Sequence, residues 1–303
     1  MSSQENNNIL VSIITVDYNG HEMTFEFLKS INQYLSDPEK IEIIIVDNGS
    51  KKDYSKEFKE LNSTVKVIRS EENLGFSGGN NLGIKEAKGE FLFFVNNDTE
   101  FTEGLVDTLI DTLRKHPDVG AVSPKIKFYD TPEILQYAGF APFNFYTGRT
   151  RAIGSLEKDN NHIPSGYTNS LHGAAMMVKR EVIDNVGFMP EMFFLYYEEW
   201  DWCHQIKTHG YKLYYEAGAS IFHKESMSTG KNSPLKTYYI TRNRILFVRR
   251  NATFWQKWFF TVYLISVAIP KNTLEFILDK NISNLKSFYK GVFWNLNNRK
   301  LVS

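Results

Sequence analysis

The stretch IEIIIVDNGS at residues 41–50 decides the fold class. Its first six residues are apolar apart from one glutamate and mostly β-branched, which predicts a strand buried on both faces. The following DNGS is a turn sequence, so the strand is predicted to end there. Two similar apolar runs are VSIITV at residues 11–16 and FLFFV at residues 91–95. Three buried strands within the first 100 residues indicate one sheet at the centre of the fold.

Helical patterns separate these strands. The apolar spacing at residues 24–35 predicts one helix, and residues 51–61 and 83–88 predict two shorter ones. Strands that alternate with helices predict an α/β fold with a mostly parallel central sheet flanked by helices. The other elements that we expect are helices at 105–115 and 199–209, and strands at 65–68, 120–128, 212–215 and 220–222. Residues 132–170 have little pattern and are typical of binding loops or lids.

Bulk composition narrows the function classes. The 303 residues suffice for one large domain or for a domain with an appendage. Lys+Arg and Asp+Glu both number 35, so no net positive charge indicates a nucleic-acid partner, and none is expected. The single cysteine, Cys203, suits a reducing compartment, and the polar start MSSQENNNIL lacks the pattern of a signal peptide. A cytoplasmic location is therefore predicted.

Polar residues follow three of the predicted strands. Asp17-Tyr18-Asn19, Asp47-Asn48 and Asn96-Asn97-Asp98 each come directly after an apolar run. Open parallel sheets bind ligands beyond the carboxyl ends of their strands. Asn and Asp also favour turns, which is the structural alternative. A carboxylate such as Asp98, backed by Asn, suits Mg²⁺ bound together with a diphosphate.

The glycine-rich stretch NLGFSGGNNLG, residues 73–83, has neither the dinucleotide-binding nor the P-loop fingerprint. Glycines allow a backbone to approach a ligand closely, so the stretch is a candidate ligand loop. The alternative is a plain loop followed by a helix that begins near Asn80.

Three acids lie among aromatic rings in FFLYYEEWDWCHQ, residues 193–205. Glu198, Glu199 and Asp201 precede a predicted helix, and acids at a helix N-terminus are stabilised by its dipole. Burial among rings would also raise a carboxyl pKa toward the range of a general base. We expect one acid to be the base and the others to orient it or to cap the helix. His223 follows at the end of a short strand, as either a structural residue or a metal ligand.

Six segments follow one another along the chain: VSIITVDYNG, IIIVDNGS, NLGFSGGNN, FLFFVNNDTEF, the long segment around FFLYYEEWDWCHQ, and IFHKESMSTG. Together, in this order, they resemble family 2 inverting glycosyltransferases of the GT-A fold. The resemblance covers roughly residues 10–250 and is closest to the rhamnosyltransferase-like branch that builds bacterial cell-surface polysaccharides. It implies a GT-A-like nucleotide-diphospho-sugar transferase domain at residues 1–232. The nucleotide-sugar half would span about 8–125, the acceptor half about 126–232, and an aromatic-rich helical extension 233–303.

The resemblance also implies residue roles. Glu199 would be the catalytic base, with Glu198 and Asp201 in the same acidic run. Asp98 and His223 would hold Mg²⁺ or Mn²⁺. The donor would contact a larger set, which comprises Val16, Tyr18, Asp47, Asn48, Gly79, Asn80, Asn96, Asn97, His172 and Gly173. Asn48 and Asn96-Asn97 stand where many relatives carry Asp, and Glu199 stands where the usual base is Asp.

The implied reaction moves a sugar, expected to be rhamnose or a similar hexose, from a dTDP- or UDP-linked donor to a hydroxyl of a growing glycan. The Q-x-x-R-W motif of processive synthases is absent, so one sugar is added per event. The acceptor of such enzymes is commonly lipid-linked. The Asn-for-Asp departures leave open a nucleotide-sugar binding protein without catalysis, and a nucleotidyltransferase is a weaker alternative.

The most apolar window is FWQKWFFTVYLISVAIP, residues 254–270. Only 12 residues lie between Lys257 and Pro270, which is short for a membrane span. An interfacial or buried helix is expected instead. Rings together with the basic residues Arg242, Arg244, Arg249, Arg250 and Lys257 favour the inner membrane surface. A helical hairpin packed on the catalytic domain or on a second subunit, in a homodimer, is an equal alternative.

Overall fold

A computed structural model describes residues 9–224 and 233–298 of the chain. Within them, ten strands form one sheet, and the predicted α/β class is confirmed. The strands are β1 Val11–Asp17, β2 Ile41–Asn48, β3 Val65–Ser70, β4 Phe91–Val95, β5 Thr99–Glu100, β6 Val119–Phe128, β7 Leu135–Tyr137, β8 Gly166–Thr168, β9 Ala175–Lys179 and β10 Lys212–His223.

Helices cover both faces of the sheet and form the C-terminal region. They are α1 His21–Tyr34, α2 Ser55–Leu61, α3 Gly75–Glu86, α4 Leu105–Lys115, α5 Arg180–Val186, α6 Glu198–Thr208, α7 Pro234–Asn251, α8 Phe254–Tyr263, α9 Ile269–Leu278 and α10 Ile282–Asn297. A π-helical turn, Leu264–Ala268, joins α8 to α9. The predicted domain boundary at residue 232 lies outside the described residues.

The sheet has the order β3-β2-β1-β4-β9-β6-β10-β5. Its first four strands are parallel, as predicted for the nucleotide-sugar half. In the second half, β9 runs antiparallel to both β4 and β6, whereas β10 is parallel to β6. The whole sheet is therefore mixed. The strands predicted at 212–215 and 220–222 are a single strand, β10, with an irregularity between Glu216 and Ser220.

Two hydrophobic layers enclose the sheet because successive strand residues point to opposite faces. Ile13 of β1 packs in the same layer as Phe27 of α1 and Leu109 of α4. Its neighbour Ile14 packs in the other layer with Trp202 of α6. The continuous apolar runs that predicted the strands are explained by this burial on both faces.

The C-terminal region contains a small separate core between α7 and α10, which includes Val248 and Phe288. From Phe254 to Leu278 the chain forms one continuous helix of 25 residues, with 6% of its most apolar window buried. The helix continues through Pro270, so it is longer than the 12 apolar residues counted between Lys257 and Pro270. The π-helical turn rearranges the hydrogen bonds before Pro270, so the helix tolerates the missing N–H. This helix is long and apolar enough to cross a membrane by length and composition.

Candidate active site

The carboxyl ends of β1, β2 and β4 meet at one edge of the sheet. Parallel register pairs Asp17 with Asp47, and both side chains are buried. The Asp17 carboxylate accepts a hydrogen bond from the Gly20 N–H at 2.8 Å and so fixes the start of α1. Tyr18, beside it, is 47% exposed. An exposed ring at this edge is free to lie against a nucleotide base.

The end of β2 is held by its own side chains. Asp47 forms an ion pair with Arg69 at 3.0 Å. Asn48 donates to Asn73 Oδ1 at 3.1 Å and to the Gly75 carbonyl at 3.0 Å. Its own Oδ1 accepts from the Leu74 N–H at 3.0 Å. Both Asn48 amide hydrogens are therefore used to hold the segment before α3, and a direct contact with a base would break one of these bonds.

The glycine-rich stretch is a helix, because α3 begins at Gly75 instead of near residue 80. A Cβ added at Gly79 would lie 2.9 Å from Val16 Cγ1, and one added at Gly83 would lie 2.5 Å from Ile14 Cγ2. Asn80 is buried and donates to the Phe76 carbonyl within the helix. The interpretation as a ligand loop is wrong for this part of the stretch. Gly79 and Gly83 let α3 pack closely on β1, and Val16 packs against Gly79.

The end of β4 connects to both sides of the site. The Asn96 N–H donates to the Ala174 carbonyl at 2.9 Å. Asn97 Nδ2 donates to Thr24 Oγ1 at 2.8 Å, so this amide binds α1. Of the Asn96-Asn97-Asp98 run, Asn97 is thus committed to structure, and Asp98 is the side chain that offers a carboxylate.

Asp98 faces His223. The two meet because the Lys224 N–H donates to the Asp98 carbonyl at 2.9 Å where β10 ends. His223 Nε2 lies 3.3 Å from Asp98 Oδ1, which has no hydrogen-bond partner. His223 Nδ1 lies 2.8 Å from Gln136 Oε1. Since the Gln136 amide oxygen accepts, His223 Nδ1 donates to it, and Nε2 is the ring nitrogen that faces the carboxylate.

A carboxylate oxygen and an imidazole nitrogen that face each other suit a divalent cation. Among residues 9–224 and 233–298, no group of three or more His, Cys, Asp and Glu is arranged to hold a metal ion. Two protein ligands suit Mg²⁺ or Mn²⁺ whose remaining ligands are water and phosphate oxygens. The residues present therefore fit a cation held jointly with a diphosphate.

The segment 172–174 joins this pair to the acids. The His172 ring lies 5.9 Å from the His223 ring, and its Nδ1 accepts from the Ala174 N–H at 3.1 Å. Burial, with the neighbouring His223, lowers the pKa of His172 to about 3, so it is neutral. A Cβ added at Gly173 would lie 3.8 Å from Glu199 Cγ, which is ordinary van der Waals contact. Glu199 thus lies against Gly173, next to the histidines.

The first two acids titrate unusually. Burial raises the pKa of Glu199 to about 7. Burial and the neighbouring Glu199 raise the pKa of Glu198 well above its usual range, and Glu198 Oε2 is buried without a hydrogen bond. The Glu198 carboxyl therefore holds its proton more tightly than an ordinary glutamate, while Glu199 loses its proton near neutral pH. A carboxylate with a pKa near the working pH is suited to general base catalysis.

Asp201 faces another direction. It is fully buried and accepts from Asn251 Nδ2 at 2.6 Å and from Arg250 Nε at 3.1 Å. These contacts fasten α6 to α7. The three acids are thus divided among the cleft, the protein interior and the C-terminal helices, which their spacing in the sequence did not reveal.

Three of the five basic residues on the C-terminal helices make contacts within the protein. Arg242 is buried, Arg250 pairs with Asp201, and Arg249 donates to the Asn295 carbonyl at 3.1 Å. These contacts favour the alternative in which the C-terminal helices pack on the catalytic domain and on one another.

Two residues missed by the sequence analysis hold the segment before Glu198. Residues 194, 196 and 197 have positive φ angles of 64°, 66° and 75°, which is strained for aromatic residues. Asn243 Nδ2 lies 2.8 Å from the Phe193 carbonyl, 2.7 Å from that of Leu195 and 2.8 Å from that of Tyr196. Arg242 Nη2 donates to the Phe193 carbonyl at 2.9 Å. The only sequence signal is the polar run Arg242-Asn243-Arg244 directly before the apolar residues 245–248.

Comparison with known proteins identifies the family. Residues 12–187, more than half of the chain, match the family described as Glycosyl transferase family 2. The chain belongs to this family. It is a glycosyltransferase that uses a nucleotide-sugar donor.

Two curated relatives cover most of this family 2 glycosyltransferase. The low-salt glycan biosynthesis hexosyltransferase Agl10 of Haloferax volcanii is 27% identical over 78% of the chain and 74% of its own length. The N-acetylglucosaminyl-diphospho-decaprenol L-rhamnosyltransferase of Mycobacterium tuberculosis is 23% identical over 74% of the chain and 78% of its own length. Both are similar to the chain well beyond the matched family region.

A solved structure supports the fold. The mannosyltransferase PcManGT from Pyrobaculum calidifontis, in complex with GDP-Man and Mn²⁺, superposes with a TM-score of 0.57 at 14% identity. The match covers 93% of the chain and 84% of that structure. The predicted GT-A-like fold, with C-terminal helices added, is confirmed.

Proposed function

We propose that the chain is a metal-dependent inverting glycosyltransferase that transfers one hexose per event to a hydroxyl of a glycan. The observation that supports this most directly is the arrangement around residues 172–174. On one side of them is Asp98 with His223, and on the other is Glu199, whose pKa is near 7. Asp98 and His223 would bind a cation on one side of this short segment, and the base lies on the other side. This arrangement suits a reaction in which a diphosphate leaves as a hydroxyl attacks.

On the donor side, Tyr18 and Asp47 would lie beside the nucleotide, and Asp98 and His223 would hold the cation. When bound there, the cation supplies positive charge that stabilises the diphosphate leaving group. Asn96 and His172 would border the sugar, because both belong to the backbone junction between β4 and residues 172–174. Gly173 has no side chain, which leaves space in front of Glu199.

On the acceptor side, Glu199 would take the proton of the attacking hydroxyl. The hydroxyl oxygen forms a bond to the anomeric carbon as the bond from that carbon to the diphosphate oxygen breaks. The electron pair of the broken bond leaves with the diphosphate, and the proton stays on the Glu199 carboxylate. A single displacement of this kind inverts the anomeric configuration.

The remaining acids have supporting functions in this proposal. Glu198 is buried beside Glu199, and its own raised pKa limits the negative charge next to the base. Asp201 fixes the orientation of α6 through Arg250 and Asn251. Neither is proposed to touch the substrate.

The relatives support a proposal for the sugar and the acceptor. The two curated relatives are a hexosyltransferase and an N-acetylglucosaminyl-diphospho-decaprenol L-rhamnosyltransferase. We therefore propose rhamnose or a similar hexose from a dTDP or UDP donor, and a lipid-linked glycan acceptor.

A donor panel tests this function. The chain is incubated with UDP-, dTDP- and GDP-sugars, Mn²⁺ or Mg²⁺, and a bacterial membrane lipid extract. The expected result is release of nucleoside diphosphate with one donor class and transfer of its sugar to lipid. Release of pyrophosphate would indicate a nucleotidyltransferase instead, and binding without turnover would indicate a protein that only binds nucleotide sugars.

The exposed helix Phe254–Leu278 supports a location at the inner face of the membrane. Trp255 is 66% exposed and Trp258 is 51% exposed, and Lys257 lies between them. Exposed tryptophans beside a lysine suit the interface between lipid and water. The test is co-sedimentation with phosphatidylglycerol vesicles. Replacing both tryptophans by serine should reduce binding, whereas Leu156→Ser, on an exposed loop of the catalytic domain, should not. Dimerisation without vesicle binding would contradict the proposal.

A further inference from the structure

A cavity of about 320 Å³ lies beside α6, apart from the donor residues. It is enclosed by three elements: α6 itself, α7, and the loop around residues 142–145. This loop belongs to the long segment predicted to carry binding loops. The cavity is open to solvent on one side, so a ligand can enter it without displacing an element of the fold.

The apolar wall of the cavity consists of rings. Phe143 packs 5.7 Å from the Trp200 ring and 4.8 Å from the Phe247 ring, with Phe145 stacked at 5.6 Å from Phe247. Trp200 and Phe247 are 9% and 1% exposed, so they support Phe143 and Phe145 from within the protein. Phe143 and Phe145 are half-buried and present the accessible apolar surface of the wall.

The polar wall consists of Asn169, His204, Lys207 and Thr208. It adjoins the aromatic wall, because the His204 ring lies 5.9 Å from the Phe145 ring and 6.1 Å from the Phe247 ring. Lys207 Nζ donates to the Asn169 carbonyl at 2.7 Å. No hydrogen bond to the His204 ring nitrogens is found among the described residues, and burial lowers the pKa of His204. A neutral imidazole offers one donor and one acceptor, so this wall can bind hydroxyl groups.

The cavity begins next to the proposed base. Trp200 follows Glu199 directly. Thr208 lies nine residues beyond Glu199, which is roughly 13 Å along the helix at about 1.5 Å per residue. The segment 169–173 runs beside α6 in the opposite direction, since Lys207 contacts Asn169 and the Cys203 thiol accepts from the Leu171 N–H. Glu199 therefore lies between Asp98 and His223 on one side and the cavity on the other.

We propose that this cavity binds a pyranose ring of the acceptor glycan, stacked on the aromatic wall with its hydroxyls toward His204 and Asn169. The proposal rests on the proposed glycosyltransferase function and specifies its acceptor subsite. A pyranose has an apolar C–H face and a polar rim, which match the two walls. An isoprenoid chain would leave the polar wall unpaired, which is costly when water is displaced.

The test fills the cavity from its rim. Thr208 is exposed and lines the cavity, so Thr208→Trp places a large ring in it without altering the core. His209→Trp is the matched control, because His209 is the next residue, is also exposed and does not line the cavity. Two readouts are compared for both variants and the unmodified chain: the acceptor KM with membrane lipid extract, and donor hydrolysis without acceptor.

We expect Thr208→Trp to raise the acceptor KM by about tenfold or more, the effect of losing one good contact. His209→Trp should leave the acceptor KM unchanged, and both variants should hydrolyse donor at the normal rate. An unchanged acceptor KM in Thr208→Trp would overturn the proposal.

A binding experiment makes the result independent of turnover. Saturation-transfer NMR is recorded with methyl glycosides of glucose, galactose, rhamnose and N-acetylglucosamine, and separately with farnesyl phosphate. Glycoside binding that Thr208→Trp abolishes would support the proposal even if no donor is hydrolysed. The lack of donor hydrolysis would count only against the proposed function. Binding of farnesyl phosphate alone, lost in the same variant, would show that the cavity takes a lipid chain and would overturn the assignment.

Discussion

The donor edge of the sheet, where β1 and β2 end, and the acid segment, residues 193–199, are built in different ways. At the donor edge, Asp47 and Asn48 end a strand whose parallel register places them beside Asp17. Their partners, Arg69 and Ser50 among them, come from within about 30 residues in the chain. The segment 193–197 is held by Arg242 and Asn243, some 50 residues away, and by the Phe76 N–H of α3, which donates to the Phe194 carbonyl at 2.7 Å. The donor edge is thus a product of the sheet, whereas the position of Glu199 depends on the C-terminal helices.

The difference has a chemical consequence. At the donor edge, the Asp47 carboxylate forms an ion pair with Arg69 and accepts a hydrogen bond from the Ser50 N–H. At the acid segment, Glu198 and Glu199 are adjacent, and burial raises the pKa of both. A segment of strained backbone is stable only when the surrounding structure fixes it. We infer that α7 supplies the energy that keeps two acids in a costly place.

Glu199→Gln gives the largest expected effect and tests whether the acid segment carries the chemistry. Glutamine keeps the shape of the side chain but cannot accept the proton, so kcat should fall by about 10²–10⁴-fold. Nucleotide binding, measured by calorimetry, should stay unchanged because the donor edge is intact. An enzyme with normal kcat would disprove the assignment of Glu199 as the base.

Asp98→Asn is the corresponding change on the donor side. Loss of this carboxylate should weaken Mn²⁺-dependent nucleotide binding by about 10–100-fold, a range that loss of even an outer-shell partner reaches. Binding without Mn²⁺ should change little. Glu100→Gln, two residues further along the chain, is the matched control. If Asp98→Asn binds nucleotide with the same Mn²⁺ dependence as the unmodified chain, the cation site lies elsewhere.

Asn243→Ala separates the two regions directly. Its loss leaves carbonyls of the 193–196 segment without a donor, which costs about 1–3 kcal/mol for a buried group. We expect a lower melting temperature and a kcat reduced by about tenfold through misplacement of the base. The nucleotide KM should not change, because the donor edge makes no contact with Asn243.

The control for that variant is Asn272→Ala. Asn272 also donates its side-chain amide to a carbonyl in the C-terminal region, that of Ala268, but it has no contact with the acid segment. It should retain full kcat. A parallel rise of the nucleotide KM in Asn243→Ala would mean that the whole domain is loosened, and would remove the distinction between the regions.

The sequence predicted the sheet because its strands are continuous apolar runs, a local signal that burial on both faces demands. It also indicated Asp98, since an acid directly after a buried strand must lie at the sheet edge. The start of α3 was missed because glycine has a low helix propensity, and only packing against Val16 and Ile14 explains its presence in a helix.

Long-range contacts account for the other differences. Asp201 looks like a third catalytic acid until Arg250 and Asn251 are seen beside it. The length of the exposed helix was underestimated because Pro270 normally ends a helix, and the preceding π-helical turn has no recognisable sequence signal. The sequence of residues 193–201 contains no pattern from which one could predict that Arg242 and Asn243 of α7 fix their backbone.

The smallest expected effect concerns stability and pH. The pKa of Glu199 is about 7 in the folded chain, against about 4.3 in an unfolded one. The folded state therefore binds this proton more tightly, so the stabilisation is complete below about pH 4.3 and is lost as the pH rises through 7. Between pH 5 and 8, the free energy of unfolding should fall with pH more steeply in the unmodified chain than in Glu199→Gln. Urea unfolding at pH 5, 6, 7 and 8 measures both slopes, with Glu103→Gln, an exposed acid, as control. Equal slopes in the unmodified chain and in Glu199→Gln would mean that Glu199 is ionised well below neutral pH, and the acid segment would then differ from the donor edge only in its backbone.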